Sequence, residues 1–228
     1  MSNNAEQDDS AIRNTQHATG TSEARNPQTP FAALKRFVRP RATALERCEL
    51  CSAALPADHG HLVEPATRQL LCACQACSIL FSGHAETKYR RVPQRVRFLQ
   101  EFQLTDSQWD SLMIPIGMAF FFHSSPQAKT VAIYPSPAGA TESLLDLASW
   151  DTVVQDNPVL KEMEQDTEAL LVNRVKGERE YYIVPVDECY KLVGLIRAHW
   201  RGLSGGTEVW QEITRFFDGL KERAIKQC

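Results

Sequence analysis

The sequence predicts an α+β protein in which a small metal-binding module precedes a mostly antiparallel sheet packed with helices. Three observations predict it. Two Cys-x-x-Cys pairs, Cys48/Cys51 and Cys74/Cys77, stand twenty-two residues apart, with strand-like segments between them. Short aromatic and β-branched runs follow, among them Gly117-Met-Ala-Phe-Phe-Phe122 and Thr130-Val-Ala-Ile-Tyr134. Helical periodicity then closes the chain, and strands that precede and interleave with helices around a central hairpin give the α+β class.

The 228 residues, 43% hydrophobic and 23% charged, suffice for one substantial core plus a smaller module. A formal net charge of -3 excludes a globally basic binder of nucleic acid or anionic membrane. Met1-Ser-Asn-Asn4 lacks the basic flank and apolar run of a signal peptide. The longest apolar stretch, Leu112 to Phe122, is too short to span a bilayer and contains Pro115 and Gly117. The expectation is a cytoplasmic chain without membrane insertion, and in that compartment seven cysteines read as ligands rather than as disulfides.

Residues 1–30 are polar and read as a disordered tail. Phe31, Leu34 and Val38 lie at helical spacing up to Pro40, so 31–87 is expected to comprise a helix plus the four-cysteine module. Within it, Leu55-Pro-Ala-Asp58 reads as a turn, and His61–Glu64 and Arg68–Cys72 as two short strands around Pro65-Ala-Thr67. Residues 88–228 are expected to form the α+β domain. Thr105 and Asp106 offer caps for a helix through Trp109, and Thr141 for one leading from Glu142 to Leu147. Asn157-Pro158 opens a short helix ending near Asp166. Glu168–Arg174 and Tyr181–Val186 pair across Lys176-Gly-Glu178. Asp187 caps a helix to Trp200, and Thr207 caps a final amphipathic helix buried through Val209, Ile213, Phe216, Phe217 and Leu220.

Five of the seven cysteines fall within the thirty residues Cys48–Cys77. A Cys-x-x-Cys turn brings two sulfurs within about 4 Å, and two such turns facing each other make a tetrahedral cage for zinc or iron. Turn, hairpin, turn is the layout of zinc ribbons and rubredoxin-like modules. Ser52 and Ser78 stand where rubredoxins usually have glycine, so the match to them is partial. Cys48, Cys51, Cys74 and Cys77 are the expected ligands. Cys72, His59 and His61 are alternative ligands or donors to a sulfur, or else a small core residue and two solvated loop histidines.

Other stretches carry weaker signals. The Lys88–Arg97 run, with Arg90, Arg91, Arg95 and Arg97, suits a docking patch for an acidic protein or a solvated turn better than a nucleic-acid grip, since Tyr89 alone could stack. Ser136, Thr141, Glu142 and Ser143 could form a partner-binding loop or a plain strand-to-helix connection. Gly202-Leu-Ser-Gly-Gly206 lacks the Lys-Ser/Thr of a phosphate loop, and acidic Asp187 and Glu188 make Cys189 a poor nucleophile. No catalytic residues are assigned, because no catalytic constellation stands in its required context.

Cys-Glu-Leu-Cys51, Leu-Leu-Cys-Ala-Cys-Gln-Ala-Cys77, Tyr-Pro-Ser-Pro-Ala-Gly-Ala-Thr-Glu-Ser143, Glu-Ala-Leu-Leu-Val-Asn-Arg174, Cys-Tyr-Lys-Leu-Val-Gly-Leu-Ile-Arg197 and His-Trp-Arg-Gly202 resemble an uncharacterised bacterial family, a domain of unknown function. The resemblance runs from about Phe31 to near the C-terminus. Members of that family are often encoded beside nickel–iron hydrogenase genes, so it implies a hydrogenase subunit or maturation protein as partner. It implies no catalytic roles. The function expected is that of a zinc-binding accessory or assembly protein. Alternatives are a rubredoxin-like iron or iron–sulfur electron carrier and a zinc-containing nucleic-acid-binding regulator.

Overall fold

An uninterrupted apolar run can be a strand only where both faces of its sheet are covered, because successive side chains point to opposite sides. The computed structural model describes residues 46–82, 87–144 and 147–227, and provides such cover. A seven-stranded sheet runs in the order β10-β4-β9-β8-β5-β6-β7. Its strands are β4 (Arg97–Leu99), β5 (Met118–Ser124), β6 (Lys129–Ser136), β7 (Gly139–Ser143), β8 (Glu168–Asn173), β9 (Glu180–Pro185) and β10 (Ile225–Gln227). All neighbours are antiparallel except β10 and β4, which run parallel.

Phe120, Phe122, Leu171, Tyr182 and Val184 point to one face, where α4 (Val186–His199) and α5 (Gly206–Arg223) cover them. The five α5 residues expected to face inward are the ones buried there. Phe121, Leu170, Val172 and Ile183 point the other way, onto α2 (Asp106–Ser111) and α3 (Leu147–Asp156) through Trp109, Trp150 and Val153. Thr105 caps α2 as expected, in a reciprocal box with Gln108.

The module ahead of this sheet has β1 (Gly60–Glu64), β2 (Gln69–Ala73) and β3 (Arg90–Arg91) in the order β2-β1-β3. The helix α1 (Gln75–Ser82) follows β2 directly. Val63 and Val92 pack on Val186 at the start of α4, which fixes the small sheet against the large one. The tail at 1–30 and the helix expected at Phe31–Val38 lie outside the described residues.

Four local expectations are corrected. Thr141 caps no helix: Gly139–Ser143 pairs with β6, because strand pairing satisfies the backbone donors and acceptors of the β6 edge. The turn after Asn157 is a 3-10 helix limited to Pro158–Glu162. Asp187 lies inside α4, one residue past its start, and its carboxylate is turned toward β1. Gly205, in the left-handed conformation, occupies the cap position of α5 expected of Thr207.

Candidate metal centre

The first cysteine pair sits on a loop that folds back on itself. Leu55 N–H donates to Glu46 O at 2.8 Å, Cys48 N–H to Ala53 O at 2.8 Å and Ser52 N–H to Cys48 O at 2.8 Å. So tight a reversal puts Ser52 at φ +62°, the left-handed region that glycine enters without strain. Glycine's usual place in such knuckles is thus taken by a serine in glycine's conformation.

The second pair departs from the expected turn. Cys74 precedes α1, and Cys77 lies in its first turn, with Ser78 N–H donating to Cys74 O at 2.9 Å. Cys77 N–H donates to Cys74 Sγ at 3.5 Å. The helix start therefore supplies both N–H donors and its dipole to a thiolate. Cys-x-x-Cys fits a turn or a first helical turn equally well, which is why the spacing did not choose between them.

The two segments converge. The sulfurs of Cys48, Cys51, Cys74 and Cys77 all lie within 4.8 Å of one another. Tetrahedral zinc bonds of about 2.3 Å separate sulfurs by about 3.8 Å, and Cys51 Sγ and Cys74 Sγ are 3.7 Å apart. The donor set could hold a metal ion. Cys48 and Cys77 are buried, Cys74 is partly covered and Cys51 is exposed.

Burial, with the neighbouring sulfurs adding, pushes the Cys77 thiol up to about 12. Burial also acts upward on Cys48, but backbone N–H donors from Cys74, Leu50 and Cys51 outweigh it and lower that thiol to about 6. Four thiolates cannot share so small a volume without a cation, so metal uptake here releases protons.

Glu49 ties the knuckle to the hairpin. Its N–H donates to Cys72 O at 3.0 Å, and its Oε2 accepts the Cys72 N–H at 2.6 Å. Cys72 itself stands outside the four-sulfur group. It meets His59 and His61 instead, the three donor atoms lying within 4.8 Å of one another. The pairing of β1 with β2 sets His61 directly opposite Cys72, and His59 is two residues before His61. His61 Nδ1 lies 2.8 Å from Asp187 Oδ2. A cleft of about 690 Å³ opens beside this trio.

Residues 47–224 match a family of unknown function, DUF5947. The chain belongs to that family. The DUF5947 match encloses both cysteine pairs, the His59–His61–Cys72 trio and all of the large sheet except β10. Comparison with curated proteins and with solved structures finds no match.

Most of the other residues singled out in this DUF5947 chain are engaged by partners within the chain. Ser136 Oγ donates to Gly139 O at 2.9 Å and lies 3.1 Å from Thr141 Oγ1, inside the β6–β7 hairpin. Glu142 accepts from Arg68 at 2.9 Å, and Ser143 Oγ donates to Met113 O at 3.4 Å. Arg90 pairs with Asp166 at 3.1 Å. Arg95 meets Glu168 at 2.8 Å and Glu164 at 3.1 Å, and Arg97 meets Glu162 at 3.3 Å and Glu168 at 3.4 Å. Arg91 is exposed on β3.

Cys189 is fully buried in α4, and burial with Asp187 and Glu188 nearby holds its thiol well above its ordinary range. No helix among the described residues is long and apolar enough to cross a membrane. Asp187 is the participant that sequence reasoning missed. Its position at the head of a helix read as a cap, and its histidine partner is 126 residues away.

Proposed function

We propose that this protein is a zinc-binding accessory or assembly protein that works by contact with another protein. The observation that carries the reading is the convergence of four sulfurs from a knuckle and a helix start to within 4.8 Å of one another, with Cys51 and Cys74 at the 3.7 Å that suits tetrahedral zinc. Sites with four protein ligands and no open position are the structural class. When bound, zinc supplies a tetrahedral cross-link and neutralises the thiolates. The chain's own residues hold the sulfurs in place: the Ser52 reversal sets Cys48 and Cys51, α1 sets Cys74 and Cys77, and Glu49 joins the two halves.

A protein partner is favoured by Ile79, Leu80 and Phe81 on α1, which are 59%, 70% and 44% exposed beside the centre. The family resemblance makes a nickel–iron hydrogenase subunit or maturation protein the proposed partner. The exposed Cys51 favours a second reading, iron and electron transfer, because a solvent-facing sulfur shortens the path to a redox partner. With Arg90, Arg95 and Arg97 in ion pairs, the nucleic-acid reading has no comparable support.

Metal content and a visible spectrum test the proposal on anaerobically purified wild type and Cys74→Ser. The expected result is a bound zinc without colour, lost in Cys74→Ser, and capture of the hydrogenase-side partner by wild type but not by Leu80→Asp. Iron with charge-transfer bands that bleach on reduction would establish the second reading instead. Absence of metal would overturn both.

A further inference from the structure

Between the hairpin and the head of α4 lies a group of donors that the four-cysteine centre does not use. We propose that His59, His61 and Cys72 form a second metal site, which takes a borderline divalent cation such as Zn²⁺, Co²⁺ or Ni²⁺ and keeps a coordination position open to the adjoining cleft.

Strand geometry assembles the site. In an antiparallel pair, directly opposed residues project to the same face, so His61 and Cys72 stand side by side. His59, two residues earlier, returns to that face, with its ring centroid 5.0 Å from that of His61. One nitrogen of each imidazole and the Cys72 sulfur lie within 4.8 Å of one another. A four-coordinate ion would draw them to about 3.4–3.6 Å, a contraction of up to about 1.4 Å.

Both imidazoles are set as ligands are. His61 Nδ1 is held by Asp187 Oδ2 at 2.8 Å. His59 Nδ1 is 3.0 Å from Pro56 O and 3.4 Å from Glu46 Oε2. An Nδ1–H given to a carboxylate or carbonyl leaves Nε2 as the lone-pair donor, the arrangement that orients metal-bound histidines. In each ring Nε2 is the nitrogen left over.

His59 supplies the independent sign. Its side chain is only 7% exposed, and its Nε2 is buried without a hydrogen-bond partner among the described residues. Buried polar atoms are rarely left in that state, and one that is calls for a missing ion or water. His61 and Cys72 are part-exposed, and the cleft of about 690 Å³ reaches both. Three protein ligands with an open fourth position characterise catalytic rather than structural zinc sites.

Cys72, His61 and Asp187 could alternatively form a thiol–imidazole–carboxylate chain for nucleophilic attack. That arrangement needs a single imidazole and leaves the orphaned Nε2 of His59 without a role, so the metal site is the better account.

The test uses untagged full-length protein brought to one zinc per chain, then titrated with Co²⁺ while absorption is recorded. The expected result is one further equivalent, with four-coordinate visible bands and a thiolate charge-transfer band. Cys72→Ser should lose that band, and His61→Ala and Asp187→Asn should weaken uptake at least tenfold. All three variants should keep the zinc of the four-cysteine centre, which shows that they are folded and separates this site from that one. Two zinc ions in the purified wild type, one of them lost in His61→Ala, would support the site equally. The proposal is overturned by absence of a second equivalent, or by a second equivalent whose spectrum is indifferent to Cys72→Ser and His61→Ala. It is overturned too if no second metal binds and Cys72 is alkylated rapidly in a His61-dependent way, which would establish the nucleophile.

Discussion

Glu168 opens β8 fully buried, and its two oxygens gather Arg95, Arg97 and the Glu164 N–H, the last at 3.0 Å. A buried carboxylate of this kind is held by its partners, and removing its charge strands theirs. Glu168→Gln keeps the volume but leaves both guanidiniums without a counter-charge at that point. Loss of one partner from a buried pair destabilises by about 3–5 kcal/mol. Because Arg95 is 47% exposed and water compensates it in part, we expect about 2–3 kcal/mol here. The shift should appear in the denaturation midpoint with an unchanged slope, and a change below about 0.5 kcal/mol would show that the cluster adds nothing. The same contact shows what residue types conceal. Lys88–Arg97 reads along the chain as a basic surface, whereas the counter-charges of Arg90, Arg95 and Arg97 stand some seventy residues on, at Glu162, Glu164, Asp166 and Glu168. The four cysteines were legible for the opposite reason, since each pair is local and spacing alone fixes which sulfurs can meet. Cys72 and the two histidines were visible as metal-binding types, but only the strand register and a carboxylate 126 residues away draw them into a group of their own.

Element boundaries depend on single backbone conformations. Between α4 and α5, Gly205 has φ +88°, and a Cβ there would stand 2.8 Å from Val209 Cγ1 and 3.1 Å from the Trp200 ring. Gly205→Ala therefore combines a left-handed penalty with a clash and should destabilise by about 2 kcal/mol. Gly219, within α5, has nothing within 4 Å of such a Cβ. Gly219→Ala should instead be neutral or stabilising by up to about 1 kcal/mol. Thermal melts of the two variants check the contrast, and equal effects would contradict it. Thr207 was the visible cap in the sequence, but the tight turn two residues earlier determines where the helix starts. The misreading at Thr141 has a related cause. Thr141-Glu-Ser143 suits a helix start when taken alone, and the neighbouring β6 edge turns it into a strand.

At the scale of the molecule, apolar runs and helical periodicity made the α+β class and the places of β1, β2, β5, β6, β8 and β9 along the chain readable. They could not disclose that the sheet is covered on both faces, nor that Val63 and Val92 seat the cysteine module on α4. Those are contacts between distant segments, and no local pattern encodes them. The parallel strand β10 has a consequence of its own. It lies at the outer border of the sheet against β4, itself three residues long. Truncation after Ala224 would bare a row of unpaired backbone groups on β4, an open template for a second chain. We expect the shortened protein to self-associate with rising concentration in sedimentation or light scattering while keeping its metal, and a strictly monomeric product would refute this. The last strand thus acts as a selvedge, a finished border that keeps the woven sheet from joining its neighbour.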